Sequence, residues 1–107
     1  MTNEDIWKQD TPRQLAVTLA GTGTVLDMQN LLRDLMTEKE IIEMSARLEA
    51  AAMLKNGKKY TDITKATKLS SRTIARISEW LKNGRGGYEK AINTIEAHHS
   101  HTSPGRD

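Results

Sequence analysis

Residues 60–77 read YTDITKATKLSSRTIARI and have the pattern of two short helices joined by a tight turn. Such a helix-turn-helix needs apolar side chains on the inner face of both helices and in the turn between them. The side chains predicted to fill those positions are Ile63, Ala66, Leu69, Ile74, Ile77 and Leu81. Ser70 is predicted to cap the second helix with its hydroxyl. Lys68 stands where such turns usually have glycine, and a left-handed lysine costs about 1 kcal/mol, so we expect a strained or differently shaped turn.

The outward face of the second predicted helix carries short polar residues and two arginines, which suits a helix that enters the major groove of duplex DNA. Arginine can donate two hydrogen bonds to guanine, and an alanine or threonine methyl group can contact the thymine methyl group. The residues predicted to read bases are Arg72, Thr73, Ala75 and Arg76. The residues predicted to contact mainly the DNA backbone are Lys58, Lys59, Thr61, Lys68, Ser70 and Ser71.

The charge distribution is uneven along the chain. Residues 55–90 contain ten bases and three acids, a formal charge of +7, whereas the rest of the chain has six bases and eleven acids, a formal charge of −5. A basic segment joined to an acidic remainder is typical of a protein that binds a polyanion. Charge alone leaves open the alternative of an uneven but merely solvated surface.

Two other functions are weighed against DNA binding. A helical hairpin can serve only packing or protein contact, in which case the chain would be an interaction module whose basic face docks an acidic partner protein. That alternative predicts tight protein binding with little affinity for DNA. An enzyme is not expected, because Glu40, Glu43 and Glu49 have no partner base or nucleophile in the sequence.

The whole chain is predicted to be all-α, because no segment alternates apolar and polar residues in the manner of a strand. Six helices are predicted, at residues 12–20, 25–36, 38–56, 60–67, 71–83 and 87–98. Their start signals are Thr11 followed by Pro12, then Thr24 and Thr37. Gly57 and Gly84 are predicted to end two of them in a left-handed turn. Residues 12–97 would form one domain, with an N-terminal arm at 1–11 and a disordered tail at 98–107.

Composition narrows the class of protein further. Hydrophobic residues make up 36% of the chain and phenylalanine is absent, so a single compact core would be thin, and sharing a core with a second copy is plausible. The absence of cysteine excludes disulfides and thiolate metal sites. His98, His99 and His101 lie in the predicted tail and are not expected to bind a metal. No cofactor, signal peptide or membrane span is predicted, and the expected location is the cytoplasm, in association with the nucleoid.

Five blocks of sequence occur together in one order: residues 31–41 (LLRDLMTEKEI), 46–49 (ARLE), 53–57 (MLKNG), 73–76 (TIAR) and 87–91 (GYEKA). With these blocks the chain resembles the bacterial Trp repressor family, and more closely its YerC/YecD-type branch, from about Gln14 to Ile95. The resemblance implies an all-α homodimer whose N-terminal helices interlock. It also implies two DNA-reading heads about 34–36 Å apart, the spacing of successive major grooves. The implied role is a transcription regulator, most simply a repressor.

The resemblance also bears on a small-molecule effector. Thr37, Arg47 and Arg76 match positions that touch tryptophan in the Trp repressor. Ile77 stands where the family has a small glycine beside the indole, and Trp80 stands where it has a serine that meets the ligand amine. The two large side chains argue against a tryptophan corepressor, and Trp80 is expected to fill the cavity itself.

Overall fold

The structure is a computed structural model that describes residues 3–102, and the side-chain surroundings of residues 6–96. Within residues 3–102 there are seven α-helices and no strand. They are α1 (Asn3–Lys8), α2 (Asp10–Gly21), α3 (Val25–Leu35), α4 (Glu38–Lys55), α5 (Tyr60–Thr67), α6 (Ser71–Asn83) and α7 (Gly87–Thr102). The predicted all-α fold is therefore confirmed. The chain divides into two compact units, Met1–Ile41 and Ile42–Asp107.

The N-terminal end differs from its prediction. Residues 3–8 of the predicted arm form α1, which packs against α2. The prediction that Thr11 caps this helix is wrong, because α2 already begins at Asp10. The residue at the cap position is Gln9, whose side chain makes no capping hydrogen bond. Pro12 is consequently the third residue of α2, a position it tolerates because backbone N–H groups of the first turn have no partner inside the helix.

The starts of α3 and α4 follow their predicted caps. The backbone N–H of Asp27 donates to Thr24 Oγ1 at 3.0 Å. At the start of α4 the N–H of Glu40 donates to Thr37 Oγ1 at 3.1 Å, and the N–H of Thr37 donates to Glu40 Oε1 at 2.9 Å. This reciprocal pair is the capping box that the sequence predicts.

The unit Met1–Ile41 has no buried side chain among residues 6–41. Large apolar side chains of its helices are exposed, namely Ile6, Trp7, Leu15, Val17, Val25, Leu26 and Leu35. Val25 reaches 76% exposure and Leu26 64%. Residues 6–41 therefore form no core of buried side chains.

The unit Ile42–Asp107 has a core drawn from four helices. Its buried side chains are Ala50, Ala51, Ile63, Ile74, Ile77 and Ile92. The small side chains of Ala50 and Ala51 let other elements approach α4 closely, and the isoleucines of α5, α6 and α7 complete the cluster. Earlier on α4, Ile42 and Met44 are more than 60% exposed.

The ends of α4 and α6 differ although both read Leu-Lys-Asn-Gly. Gly57 has φ +79°, and the N–H groups of Gly57 and Lys58 donate to the carbonyls of Leu54 and Met53, as predicted for a left-handed end. The matching prediction for Gly84 is wrong, because its φ is −83°. Its N–H still donates to the Trp80 carbonyl at 2.8 Å, and the left-handed residue is Gly86, two positions later.

The C-terminal helix runs beyond its predicted end. α7 extends to Thr102, four residues past residue 98, so the predicted tail is helical at its start. Residues 103–107 of that tail lie outside the described residues, as do the side-chain surroundings of His98, His99 and His101. Among residues 3–102, no helix combines the length and the apolar character that a bilayer crossing requires.

Candidate nucleic-acid interface

The predicted helix-turn-helix is formed by α5 and α6, which pack against each other. Ile63 of α5 and Ile74 of α6 are fully buried, and Ile77 is 1% exposed. Leu69 in the turn and Leu81 near the end of α6 are half-buried against the same cluster. Ala66 is the exception, because it is exposed and does not join the inner face. The two helices are thus held by isoleucines that α4 and α7 help to cover.

The turn between the two helices is left-handed at Lys68, with φ 65° and ψ 11°. The N–H of Lys68 donates to the Thr64 carbonyl at 2.8 Å and closes α5. Thr67 Oγ1 donates to the Ile63 carbonyl at 2.7 Å and accepts from the N–H of Leu69 at 3.3 Å. The turn therefore keeps the usual shape of the motif, and lysine adopts the strained conformation that glycine adopts freely.

Ser70 caps α6 as predicted. Its Oγ accepts from the N–H of Thr73 at 3.1 Å and lies 3.0 Å from Thr73 Oγ1, to which it donates. Thr73 is half-buried, and its hydroxyl is engaged in this cap. Among the four predicted base-reading residues, Thr73 is therefore the one least available to a ligand.

The remaining predicted base-reading residues are on the solvent side of α6. Arg72, Ala75 and Arg76 are exposed. Neither arginine makes a hydrogen bond or ion pair with a side chain that the structure describes. Arg72 and Arg76 are four residues apart, so they lie on one face of the helix. Their guanidinium groups present donors to solvent in the planar geometry that matches a guanine edge or a phosphate.

The predicted backbone contacts surround this helix-turn-helix. Lys58, Lys59 and Thr61 are exposed at the start of α5, and Lys68, Ser70 and Ser71 are exposed at the turn and the start of α6. The positions of Lys58 and Lys59 are set by the hydrogen bond from the Lys58 N–H to the Met53 carbonyl, which fixes the connection from α4. Exposed lysines on a short, ordered connection are suited to phosphate contacts.

Lys55 belongs to the basic segment, but its ammonium group is engaged by two side chains of α7. Its Nζ lies 3.0 Å from Glu89 Oε2 and donates to Asn93 Oδ1 at 2.7 Å. These contacts join the end of α4 to α7. Sequence reasoning missed the cluster, and the only signal for it was the spacing of Glu89 and Asn93, which puts both on one face of α7.

The three positions matched to the tryptophan site have different surroundings. Thr37 is in the unit Met1–Ile41, where its hydroxyl and N–H are engaged in the capping box. Arg47 Nη2 donates to Glu43 Oε2 at 3.2 Å. Arg76 is exposed on α6. Arg47 lines an open groove of about 580 Å³, and Arg76 does not.

This groove lies within the unit Ile42–Asp107, between α4, the end of α6 and the start of α7. Its lining residues are Met44, Arg47, Leu48, Trp80, Gly84, Arg85, Gly87, Tyr88 and Ala91. Trp80 is 50% exposed on its wall, so the expectation that Trp80 fills a cavity is wrong. Ile77 is instead the buried residue, and its side chain occupies core space beside α5 and α7.

Comparison with known proteins gives three results. The sequence model of the family described as Trp repressor protein matches residues 14–96. The protein YerC of Bacillus subtilis is 38% identical over 63 residues, a segment that spans 59% of this chain and 61% of YerC, which is less than two thirds of its length. The crystal structure of a TrpR-like protein from Eubacterium eligens has 27% sequence identity and a TM-score of 0.80, covering 86% of this chain and 95% of that chain.

Proposed function

The chain belongs to the Trp repressor family of helix-turn-helix DNA-binding regulators, and from that premise we propose that it regulates transcription, as a repressor, by binding a specific duplex DNA sequence as a homodimer. The observation that carries the proposal is the pair Arg72 and Arg76. Both are exposed on α6 and lack partners among the described side chains, while Ile74 and Ile77 of the same helix are buried. A helix fixed in this way can present arginines to base edges without losing its own packing.

The proposed homodimer is supported by the unit Met1–Ile41. Its helices expose large apolar side chains, and none of its described residues is buried. Seven large apolar side chains are exposed in this unit, and exposed apolar surface that exceeds a few hundred Å² on a soluble protein marks an interaction site. A second copy would cover these side chains and would also bring a second α6, so that the pair reads two half-sites about 34–36 Å apart.

The regulator is proposed not to respond to tryptophan. Ile77 fills core space at the position where the family has a small glycine, and Trp80 replaces the serine that meets the ligand amine. Titration calorimetry with tryptophan tests this. Absence of heat at millimolar tryptophan is expected, and a dissociation constant in the micromolar range would contradict the proposal.

The direct test of DNA binding is fluorescence anisotropy with a labelled duplex from the region upstream of the protein's own gene. A scrambled duplex of equal composition is titrated beside it at several salt concentrations. We expect tighter binding to the upstream duplex and a steep loss of affinity as salt rises. No binding to either duplex at low salt, with the helical fold intact, would contradict the proposal and would favour an acidic protein partner for the basic face.

Arginine variants then separate base reading from charge. If Arg76 reads a base, Arg76→Ala should weaken binding to the upstream duplex by about 1–3 kcal/mol. Its effect on the affinity for the scrambled duplex should be smaller. An equal loss on both duplexes would identify a phosphate contact instead. Arg13→Ala is the matched control, because Arg13 is an exposed arginine of α2, outside the basic segment. It should leave both affinities unchanged.

A further inference from the structure

Three residues in the described part of the chain have a left-handed backbone, and one of them is not glycine. Gly57 has φ +79° and Gly86 has φ +86°, whereas Lys68 has φ 65°. Glycine adopts this conformation without penalty, but the Cβ of any other L-residue crowds a neighbouring carbonyl oxygen. The chain thus uses glycine at the two left-handed positions outside the helix-turn-helix and lysine at the one inside it.

Contacts within the protein do not explain the lysine. The hydrogen bond that closes α5 runs from the Lys68 N–H to the Thr64 carbonyl, and a glycine N–H would make it equally well. The Lys68 side chain is exposed and forms no hydrogen bond or ion pair with any residue that the structure describes. A cation favours the C-terminal end of a helix, but Lys65 already supplies one in the last turn of α5.

The position of Lys68 relative to α6 offers a reason. Lys68 lies two residues before Ser70, the cap of α6, and therefore at the entrance of the proposed reading helix. When a reading helix enters a groove with its N-terminal end, the turn before it lies at the groove edge, where the phosphates are. A lysine there adds an electrostatic contact that glycine cannot make.

We propose that the Lys68 side chain contacts a DNA phosphate. The left-handed backbone at Lys68 lowers the stability of the free protein, and the phosphate contact raises its affinity for DNA. This inference rests on the proposed DNA-binding function. It makes a prediction that a purely structural residue would not satisfy, because stability and affinity should change in opposite directions on substitution.

Three variants separate strain from charge. Lys68→Gly removes both, so the melting temperature should rise by about 2–5 °C. The same variant should bind the upstream duplex about 5–10-fold more weakly at 0.1 M salt, with the slope of log affinity against log salt reduced by about one per subunit. Lys68→Arg keeps both and should match the wild type. Lys68→Asn tolerates the left-handed conformation without the charge, so it should show the affinity loss of the glycine variant with a smaller thermal gain.

Gly57→Ala provides the matched control for strain. A Cβ at Gly57 meets no atom within 4 Å, so the substitution adds left-handed strain and no collision. It should lower the melting temperature and leave the salt slope unchanged. The inference on Lys68 is overturned if Lys68→Gly binds DNA with wild-type affinity and slope, or if it melts at a lower temperature than the wild type. Failure of the wild type itself to bind any duplex would overturn the proposed function and this inference together, and is a different result.

Discussion

The two compact units of the chain differ in whether their apolar side chains are covered. The unit Ile42–Asp107 buries four isoleucines from α5, α6 and α7 together with two alanines of α4. The unit Met1–Ile41 exposes apolar residues on all of its helices and buries none of those described in residues 6–41. One unit therefore has a core of buried side chains within a single chain, and the other has none among residues 6–41. This difference matches the proposed roles, which are DNA binding for the unit Ile42–Asp107 and self-association for the unit Met1–Ile41.

The largest effect is expected from a charge placed on the uncovered surface. Leu26 is 64% exposed on α3, so Leu26→Asp would be nearly neutral in a monomer. In the proposed homodimer it buries an unpaired carboxylate and should destabilise the assembly by more than about 3 kcal/mol. Sedimentation equilibrium and urea unfolding at several protein concentrations measure this.

Asn56→Asp is the control for that experiment, since it adds the same charge at an exposed polar position of the unit Ile42–Asp107, which has its own core. It should leave the assembly intact. A wild-type unfolding midpoint that does not depend on protein concentration, together with a harmless Leu26→Asp, would remove the distinction between the units and contradict the homodimer.

The next largest effect concerns the covered core. Ile92 of α7 is fully buried, so Ile92→Ala should lower the free energy of unfolding by about 2–4 kcal/mol through lost contacts and a residual cavity. Ile6→Ala removes the same atoms from a side chain of α1 that is 41% exposed in the single chain, and should cost less than half as much in the monomer. Urea unfolding at protein concentrations below those at which the chain assembles gives both values. Equal losses would show that the two units are covered to the same extent.

Helix caps should have intermediate effects and occur in both units. Thr37→Ala breaks the capping box of α4 and Ser70→Ala removes the cap of α6, and each should cost about 1 kcal/mol. Thr18→Ala is a suitable control, because the Thr18 hydroxyl donates to the Gln14 carbonyl within α2 and caps nothing. Its effect should stay within about 0.5 kcal/mol. Thermal unfolding followed by circular dichroism would detect the difference, and a Thr18 effect as large as the others would contradict the capping assignment.

The smallest effect is expected at the ion pair between α4 and α7. The Glu89 side chain is 52% exposed and that of Lys55 28%, so solvent screens their attraction. Glu89→Gln should therefore cost no more than about 0.5 kcal/mol at low salt and nothing measurable in 1 M NaCl. Glu49→Gln on α4 removes an exposed carboxylate of the same type as a control. A large loss that persists at high salt would show that the Lys55 contacts are a structural requirement of this unit.

Sequence alone predicted the features that depend on local chemistry. The caps at Thr24, Thr37 and Ser70 are confirmed because each needs only a hydroxyl next to a free N–H two or three residues later. At Lys68 the sequence left a strained turn and a differently shaped turn open, and the left-handed φ of 65° is the strained one. Family membership also followed from the blocks of sequence, and the matched residues 14–96 confirm it.

The features that depend on packing were predicted less well. Ala66 has the right spacing for an inner face but is exposed, whereas Ile63 of the same helix is fully buried. The base contact of Thr73 stays a prediction, and the sequence did not show that Ser70 Oγ donates to the Thr73 hydroxyl. Trp80 was expected inside a cavity and instead lines an open groove, since which large side chain enters a core depends on neighbours from other helices. Periodicity gives the face of a helix and not the element that covers it.

Gly84 has a consequence for which mutations the chain can accept. A Cβ built there would collide with the backbone carbonyl oxygen of Trp80, which cannot move as a flexible side chain can. Every substitution adds at least that Cβ, so no replacement at this position is conservative. Gly86, two residues on, disfavours other residues for the separate reason of its left-handed φ of +86°. In a library of single substitutions, the short link from α6 to α7 should therefore be among the least tolerant surface segments.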